Sequence, residues 1–207
     1  MKMIGFKFEK TLQAEGFNLI AGLDEAGRGA WAGPVYAGAV IFNWNRKIVT
    51  ELNSIQDSKL LTPQRRETFF DLIKKEALAV GIGSVGHQEI DRIGIRDASL
   101  QAMKLALENI EMKPEFVLID GFELQAVQLP QKGIIKGDQK IFSIAAASII
   151  AKVSRDREMR KLDQKYPGYG FARHKGYGVK FHQEQLEALG PCEIHRKSYR
   201  PIQRLKK

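Results

Sequence analysis

Residues 19–42 read LIAGLDEAGRGAWAGPVYAGAVIF, and the rest of the chain organises around them. An apolar run ends in two adjacent carboxylates, Asp24 and Glu25. A glycine-bracketed arginine follows at Gly27-Arg28-Gly29, and a second apolar run begins after Pro34. Strand periodicity puts Leu19, Ala21 and Leu23 on one side and Ile20, Gly22 and Asp24 on the other. Neighbours on a regular strand point to opposite faces, so Asp24 and Glu25 serve one site only if the strand ends or bends there, which Ala26-Gly27 permits. An acid pair at a strand end, followed by a loop open to close backbone approach, suggests a metal and phosphate site. Standing alone, these residues would read as a solvated hairpin turn. A dinucleotide fingerprint is rejected: Gly27-x-Gly29-x-x-Ala32 follows a strand, but Gly33-Pro34 and a β-rich run stand where that motif opens a helix.

The 207 residues suffice for one domain with a substantial core. A hydrophobic content of 43% with 28% charged residues reads as globular. The single cysteine, Cys192, excludes an internal disulfide and a cysteine-based zinc site, which fits a reducing compartment. No apolar run approaches transmembrane length and Met1–Lys10 is too charged for a signal peptide, so a cytoplasmic protein is expected. The formal charge of +9 lies at one end: residues 152–207 carry 15 Lys+Arg against 6 Asp+Glu, whereas residues 1–151 carry 18 of each. Tyr166, Tyr169, Phe171, Tyr177, Phe181 and Tyr199 are interleaved with those cations. Basic plus aromatic is the composition of a nucleic-acid surface, with Lys152, Arg155, Arg173, Lys175 and Lys180 as its candidate cations.

Along the chain, residues 1–17 read as a lead-in, and strands are expected at 18–24 and 34–42. Thr62 caps a helix with Pro63 at its first position, running through Phe69, Phe70 and Ile73. A strand is expected at 79–85, then a helix from about 97 to 111 with Leu100, Met103, Leu107 and Ile110 on one face, stopped by Pro114. The apolar run 116–119 reads as a buried strand ending at Asp120, and 133–136 as a short strand ending at Gly137-Asp138. An Ala-rich helix spans about 143–165, and a last helix, about 179–189, stops at Gly190-Pro191.

Three strand ends thus carry Asp: Asp24, Asp120 and Asp138. One aspartate at a strand end is ordinary turn chemistry. Three converge where α/β sheets place ligands, and converging carboxylates repel unless a cation neutralises them. Their hard oxygens suit Mg²⁺ or Mn²⁺; zinc is disfavoured because His87, His174, His182 and His195 show no ligand spacing. No G-x-x-x-x-G-K-[ST] is present, so NTP hydrolysis is not indicated. The pattern points to metal-assisted phosphoryl transfer on a nucleic acid.

The motifs D-E-A-G-R-G at 24–29, G-P-V at 33–35, D-S-K at 57–59, the Asp120 strand, K-G-D at 136–138, A-A-S-I-I-A-K-V-S-R-D at 146–156, H-K-G-Y at 174–177 and H-R-K-S-Y at 195–199 complete the pattern. Together and in this order they resemble the bacterial ribonuclease HII family, the type 2 ribonucleases H, over about residues 18–204. One departure is Ala30-Trp31, where that family usually carries Pro-Leu. The resemblance implies an α/β ribonuclease H-like fold: a five-stranded mixed sheet flanked by helices, with a helical C-terminal segment. A single domain over 18–207 is expected, with a catalytic core of about 18–165 and a basic segment of about 166–207. It implies Asp24, Glu25, Asp120 and Asp138 as metal-binding catalytic acids. Gly27, Arg28 and Gly29 would read the ribonucleotide 2′-OH and its neighbouring phosphate, Tyr177 would lie against the sugar, and Lys59 would contact a phosphate. The implied activity is endonucleolytic cleavage 5′ to a ribonucleotide in RNA–DNA hybrids and ribonucleotide-containing DNA by a monomer, leaving 3′-hydroxyl and 5′-phosphate ends. Alternatives are a ribonuclease HIII-like hybrid nuclease, disfavoured by the 23 residues before Asp24 and by the G-R-G triplet, and a catalytically silent hybrid-binding protein.

Overall fold

Strand β1 (Ile20–Ala26) and its neighbours β2 (Val35–Phe42) and β3 (Ala77–Val85) form an antiparallel meander in a computed structural model that describes residues 6–44, 52, 55 and 61–206. Two parallel strands, β4 (Phe116–Asp120) and β5 (Gln131–Ile134), extend the sheet beyond β1, giving the order β3-β2-β1-β4-β5. This is the expected five-stranded mixed sheet. Helices α1 (Lys7–Ala14) and α2 (Pro63–Glu76) lie on one face, α3 (His87–Glu108) on the other, and α4 (Phe142–Lys165) crosses the first face under β1 and β2. Among the described residues no helix is long and apolar enough to cross a membrane.

Helix α4 begins with ten consecutive buried residues, Phe142 to Ala151, as a helix hydrophobic all round must be. It lies so close to β1 that a Cβ on Gly22 would stand 2.1 Å from the carbonyl carbon of Ser143. Backbone cannot yield there cheaply, and overpacking of this kind costs about 1–3 kcal/mol. The lead-in is not a plain extension but contains the helix α1. Its buried Glu9 accepts bonds of 3.0 Å from both the amide and the hydroxyl of Ser143, and so caps the N-terminus of α4, which has no side-chain cap of its own. Thr62 caps α2 as read, accepting from the Arg65 amide at 3.3 Å.

Helix α3 corrects the sequence reading twice. It starts ten residues early, at His87, and breaks at Gly94, whose φ of 82° interrupts the periodicity. Its buried stripe is Ala98, Ala102, Met103 and Ala106, with Leu100 and Leu107 only partly covered. The small residues face inward because β3 offers glycines: a Cβ on Gly83 would lie 2.1 Å from the Ala102 carbonyl oxygen. Strand β5 is also displaced, ending at Ile134, so Asp138 stands in a 3-10 turn (Gly137–Gln139). After α4 come α5 (Phe171–His174), α6 (Lys180–Leu189) and α7 (Arg200–Gln203), gathered over a small core of Ala32, Met159, Phe171, Leu186 and Ile202.

Candidate active site

Strand β1 neither ends nor bends at the acid pair. It runs through both carboxylates to Ala26, paired with β2 throughout (Asp24 opposite Gly38, Glu25 opposite Ala37). The two acids therefore point to opposite faces. Strand β4 sets another acid beside the first: Leu23 pairs with Ile119, so Asp24 and Asp120 occupy the next register position side by side, while Glu25 shares a cavity wall with Asp120. Asp24 is nearly buried, bonded to the Ser148 hydroxyl of α4 and accepting from the Glu25 amide at 2.7 Å. Asp120 accepts from the Gly137 amide at 2.6 Å, which draws in the turn carrying the buried Asp138. The residue before that turn, Lys136, holds a left-handed φ of 56°. Glu25 accepts from Arg28 at 3.1 Å on the other face. With Asp120, Arg28 and Arg96 it lines a cavity of about 240 Å³.

Burial raises the Asp24 carboxyl well above the ordinary range, and the charges of Glu25 and Asp120 raise it further. Burial also raises Glu25, against the opposing pull of Arg28. Anions this close favour a cation among them. Among the described residues no three His, Cys, Asp or Glu side chains form a ready ligand cage. A hard ion such as Mg²⁺ needs none, since it keeps several waters and takes one or two carboxylates plus substrate phosphate. The oxygens that Asp24 and Asp120 turn to backbone amides are of the type such an ion accepts.

The loop from Gly27 to Pro34 is held from below by two fully buried guanidinium groups. Arg155 donates to the carbonyls of Pro34 (2.8 Å), Lys175 (2.9 Å) and Ala32 (3.1 Å). Arg196 donates to Gly33 (3.0 Å) and Arg28 (2.9 Å), and the Tyr199 hydroxyl adds a bond to the Arg28 carbonyl at 2.6 Å. Bridges from Ala30 to Tyr177 and from Ala32 to His195 stitch the loop to the C-terminal segment. Gly27 has φ 100°, and a Cβ there would stand 2.0 Å from Arg155 Nε, so its own fold requires glycine. A Cβ on Gly29 would meet open space. The Ala30-Trp31 departure is absorbed locally: Trp31 lies across Gly178, where a Cβ would strike its ring, and beside His182 at 5.6 Å between centroids.

The family model described as ribonuclease HII matches residues 21–202. A ribonuclease HII of Caldicellulosiruptor saccharolyticus is 50% identical over 194 residues, covering 94% of this chain and 93% of that protein. One of Geobacter metallireducens is 50% identical over 195 residues, covering 94% and 90%. The chain belongs to the ribonuclease HII family. It is a ribonuclease H, an endoribonuclease acting on RNA–DNA hybrids in a family that depends on divalent metal. A solved ribonuclease H2 of Pyrococcus horikoshii superposes with a TM-score of 0.76 at 27% identity, covering 91% of this chain and 97% of that one.

Set against this ribonuclease HII framework, the basic surface needs correction. Arg155 is wholly buried and serves the loop's carbonyls. Lys152 is largely covered and paired with Asp156 at 2.6 Å, with burial lowering its pKa. Lys175 is half-buried in a left-handed turn and donates to the Ala172 carbonyl. Arg173 and Lys180 are exposed, Lys180 lying 3.8 Å from Glu184. Tyr169 and Phe171 are core residues, whereas Tyr177 is half-buried beneath the Lys152 and Arg155 cations, 5.5 and 5.3 Å from its ring. Lys59 lies outside the described residues.

Three histidines without ligand spacing in sequence do meet in space, two of them in a hydrogen-bond chain and the third stacked on it. His182 donates from Nδ1 to the Tyr177 carbonyl at 3.0 Å, so its Nε2 accepts from His195 Nε2 at 3.1 Å, and His195 Nδ1 accepts from the Cys192 amide at 2.9 Å. The two links in which a ring nitrogen accepts need neutral rings, and burial lowers both His182 and His195 to about 4. The His174 ring stacks on His182 with centroids 4.3 Å apart. Neither this chain nor the arginine pair was visible in spacing, because residues 155, 182 and 196 meet only after the C-terminal segment folds back.

Proposed function

We propose that the enzyme cleaves on the 5′ side of a ribonucleotide embedded in duplex DNA or in a hybrid, leaving 3′-hydroxyl and 5′-phosphate ends, with Mg²⁺ or Mn²⁺ held by Asp24, Glu25, Asp120 and Asp138. A bound divalent ion supplies Lewis-acid stabilisation of charge on the phosphate oxygens. Glu25 and Asp120 line the open cavity and meet the substrate side, with Asp24 coupled to both. Arg28, half exposed, offers a planar fork to a phosphate. The Gly29 backbone, with free space in front of it, reads the 2′-OH that distinguishes RNA from DNA. Tyr177 packs on the sugar, and the loop stays in place because Arg155 and Arg196 hold its carbonyls.

One observation carries this reading: mutually repelling carboxylates on the adjacent strands β1 and β4 lie beside a loop with a glycine its own fold does not need. The test is cleavage of an end-labelled duplex containing one ribonucleotide, beside an all-DNA duplex, in Mg²⁺, in Mn²⁺ and in chelator. A single cut 5′ to the ribonucleotide, dependent on the ion, is expected. Cutting of the all-DNA duplex, or cutting in chelator, would overturn it.

A further inference from the structure

Beside the carboxylate cavity runs a groove of about 750 Å³, formed by the second half of α3 and the loop after β4. The two share Arg96, Leu100, Gly121, Phe122 and Glu123 as walls, so anything leaving the cavity on that side enters the groove. Phe122 stands between them, two residues beyond Asp120, and is 81% exposed, more than any other large hydrophobic side chain among the described residues. Loose packing of the loop does not account for that exposure. The Gln131 side-chain amide pins it at three points, accepting from the Leu124 amide at 2.7 Å and donating to the carbonyls of Leu124 at 3.0 Å and Val127 at 2.8 Å. Leu124 is buried as its anchor, while Gly121, with φ 91°, turns the chain so that Phe122 projects away. An ordered loop that anchors one apolar residue and presents the next beside a phosphodiester-cleaving site matches the way proteins contact single nucleotides, with an aromatic face against a base or sugar and a cation on the phosphate.

We propose that Phe122 and Arg96 form a substrate subsite that grips the duplex a few nucleotides from the cut, along the groove between α3 and the loop after β4. This rests on the function proposed above. The occupant is nucleic acid because the groove opens directly from the cavity that receives the scissile phosphate. Arg96, an exposed cation on the shared wall, suits a phosphate and not an apolar peptide. The subsite lengthens the footprint on one flank of the ribonucleotide only.

The test uses a set of duplexes with one central ribonucleotide, trimmed stepwise on one flank and then on the other, cleaved by wild-type protein, Phe122→Ala and Phe122→Trp. For wild type, trimming one flank raises KM about 5- to 50-fold, the scale of one stacking contact, while trimming the other to the same length has a smaller effect. Phe122→Ala shows that higher KM already on the full duplex and loses nothing further when the sensitive flank is trimmed, the signature of a shared contact. Phe122→Trp restores both the KM and the flank dependence. Melting temperatures of all three coincide, since the side chain is exposed. Equal KM and equal flank dependence for wild type and Phe122→Ala would overturn the subsite and leave the groove to a protein partner. If wild type fails to cut at the ribonucleotide at all, the proposed function falls first, and the two failures are distinct.

Discussion

Two buried polar clusters sit either side of the Gly27–Pro34 loop, and they are built on opposite principles. The arginine and histidine cluster is held chiefly by bonds to the protein's own backbone, with Arg196 Nη2 the one nitrogen of the two guanidinium groups left buried without a partner. Each guanidinium of Arg155 and Arg196 meets backbone carbonyls, and each ring of the His182–His195 pair has a neutral, fixed tautomer. The carboxylate cluster is left in tension, with Asp24 raised by burial and by the negative charges of Glu25 and Asp120. A fold satisfies its buried polar groups wherever it can, so a buried cluster left repelling marks where an outside cation is expected. The first cluster holds the loop still, and the second is where the chemistry is proposed to lie.

The sharpest way to break this contrast is Asp24→Asn. Turnover should fall at least about a thousandfold, the scale of losing several kcal/mol of charge stabilisation, while duplex affinity measured without cleavage changes little. Near-normal turnover at saturating Mg²⁺ would remove Asp24 from the mechanism. Next in size is the pair of glycines. Gly27→Ala should cost about 1–3 kcal/mol of stability, seen in denaturant melts, because it forces a left-handed residue onto Arg155. Gly29→Ala should melt like wild type and lose cleavage at a single ribonucleotide. Equal stability losses in both would make Gly29 a structural residue as well.

Histidine gives a third contrast, read in pH. His182 and His195 are depressed to about 4 from an ordinary 6.5, so the folded state binds their protons less well than the unfolded chain. The stability they contribute is complete above pH 6.5 and is lost as pH falls toward 4. Urea melts over that window should slope downward for wild type and less steeply for His182→Gln. The smallest effect concerns the surface. Neutralising Arg173 and Lys180, the two exposed members of the five candidate cations, should lower the log–log salt dependence of duplex binding by at most about 0.9 per contact. An unchanged slope would make them a solvated face.

Local patterns in the chain carried much of this. The Ile20–Ala26 strand, the Thr62 cap, the buried Phe116–Asp120 strand and the Ala-rich start of α4 each follow from periodicity or a capping residue within a few positions. Asp24 and Asp120 stand out for the same reason, as carboxylates where apolar runs stop, whereas Asp138 stands in a turn beyond β5. What misled was long range. Asp24 and Asp120 come side by side through the register of β4, without any bend in β1, a pairing between residues nearly a hundred apart. Arg155 read as surface because its partners are backbone carbonyls, which leave no mark in sequence. Glu9 looked like part of a charged lead-in because the helix it caps begins more than a hundred residues later.

Thermal unfolding of wild type and Asp24→Asn at pH 8, with and without Mn²⁺, tests most directly whether the carboxylate cluster is completed by a cation. Without the ion the variant should melt above wild type, because burial, Glu25 and Asp120 all disfavour a carboxylate at this position. With Mn²⁺ at about a hundred times its dissociation constant, wild type should gain about 2.7 kcal/mol, or roughly 5–10 °C for a chain of this size. The variant should gain much less. An equal gain in both proteins would contradict a cation site built on Asp24.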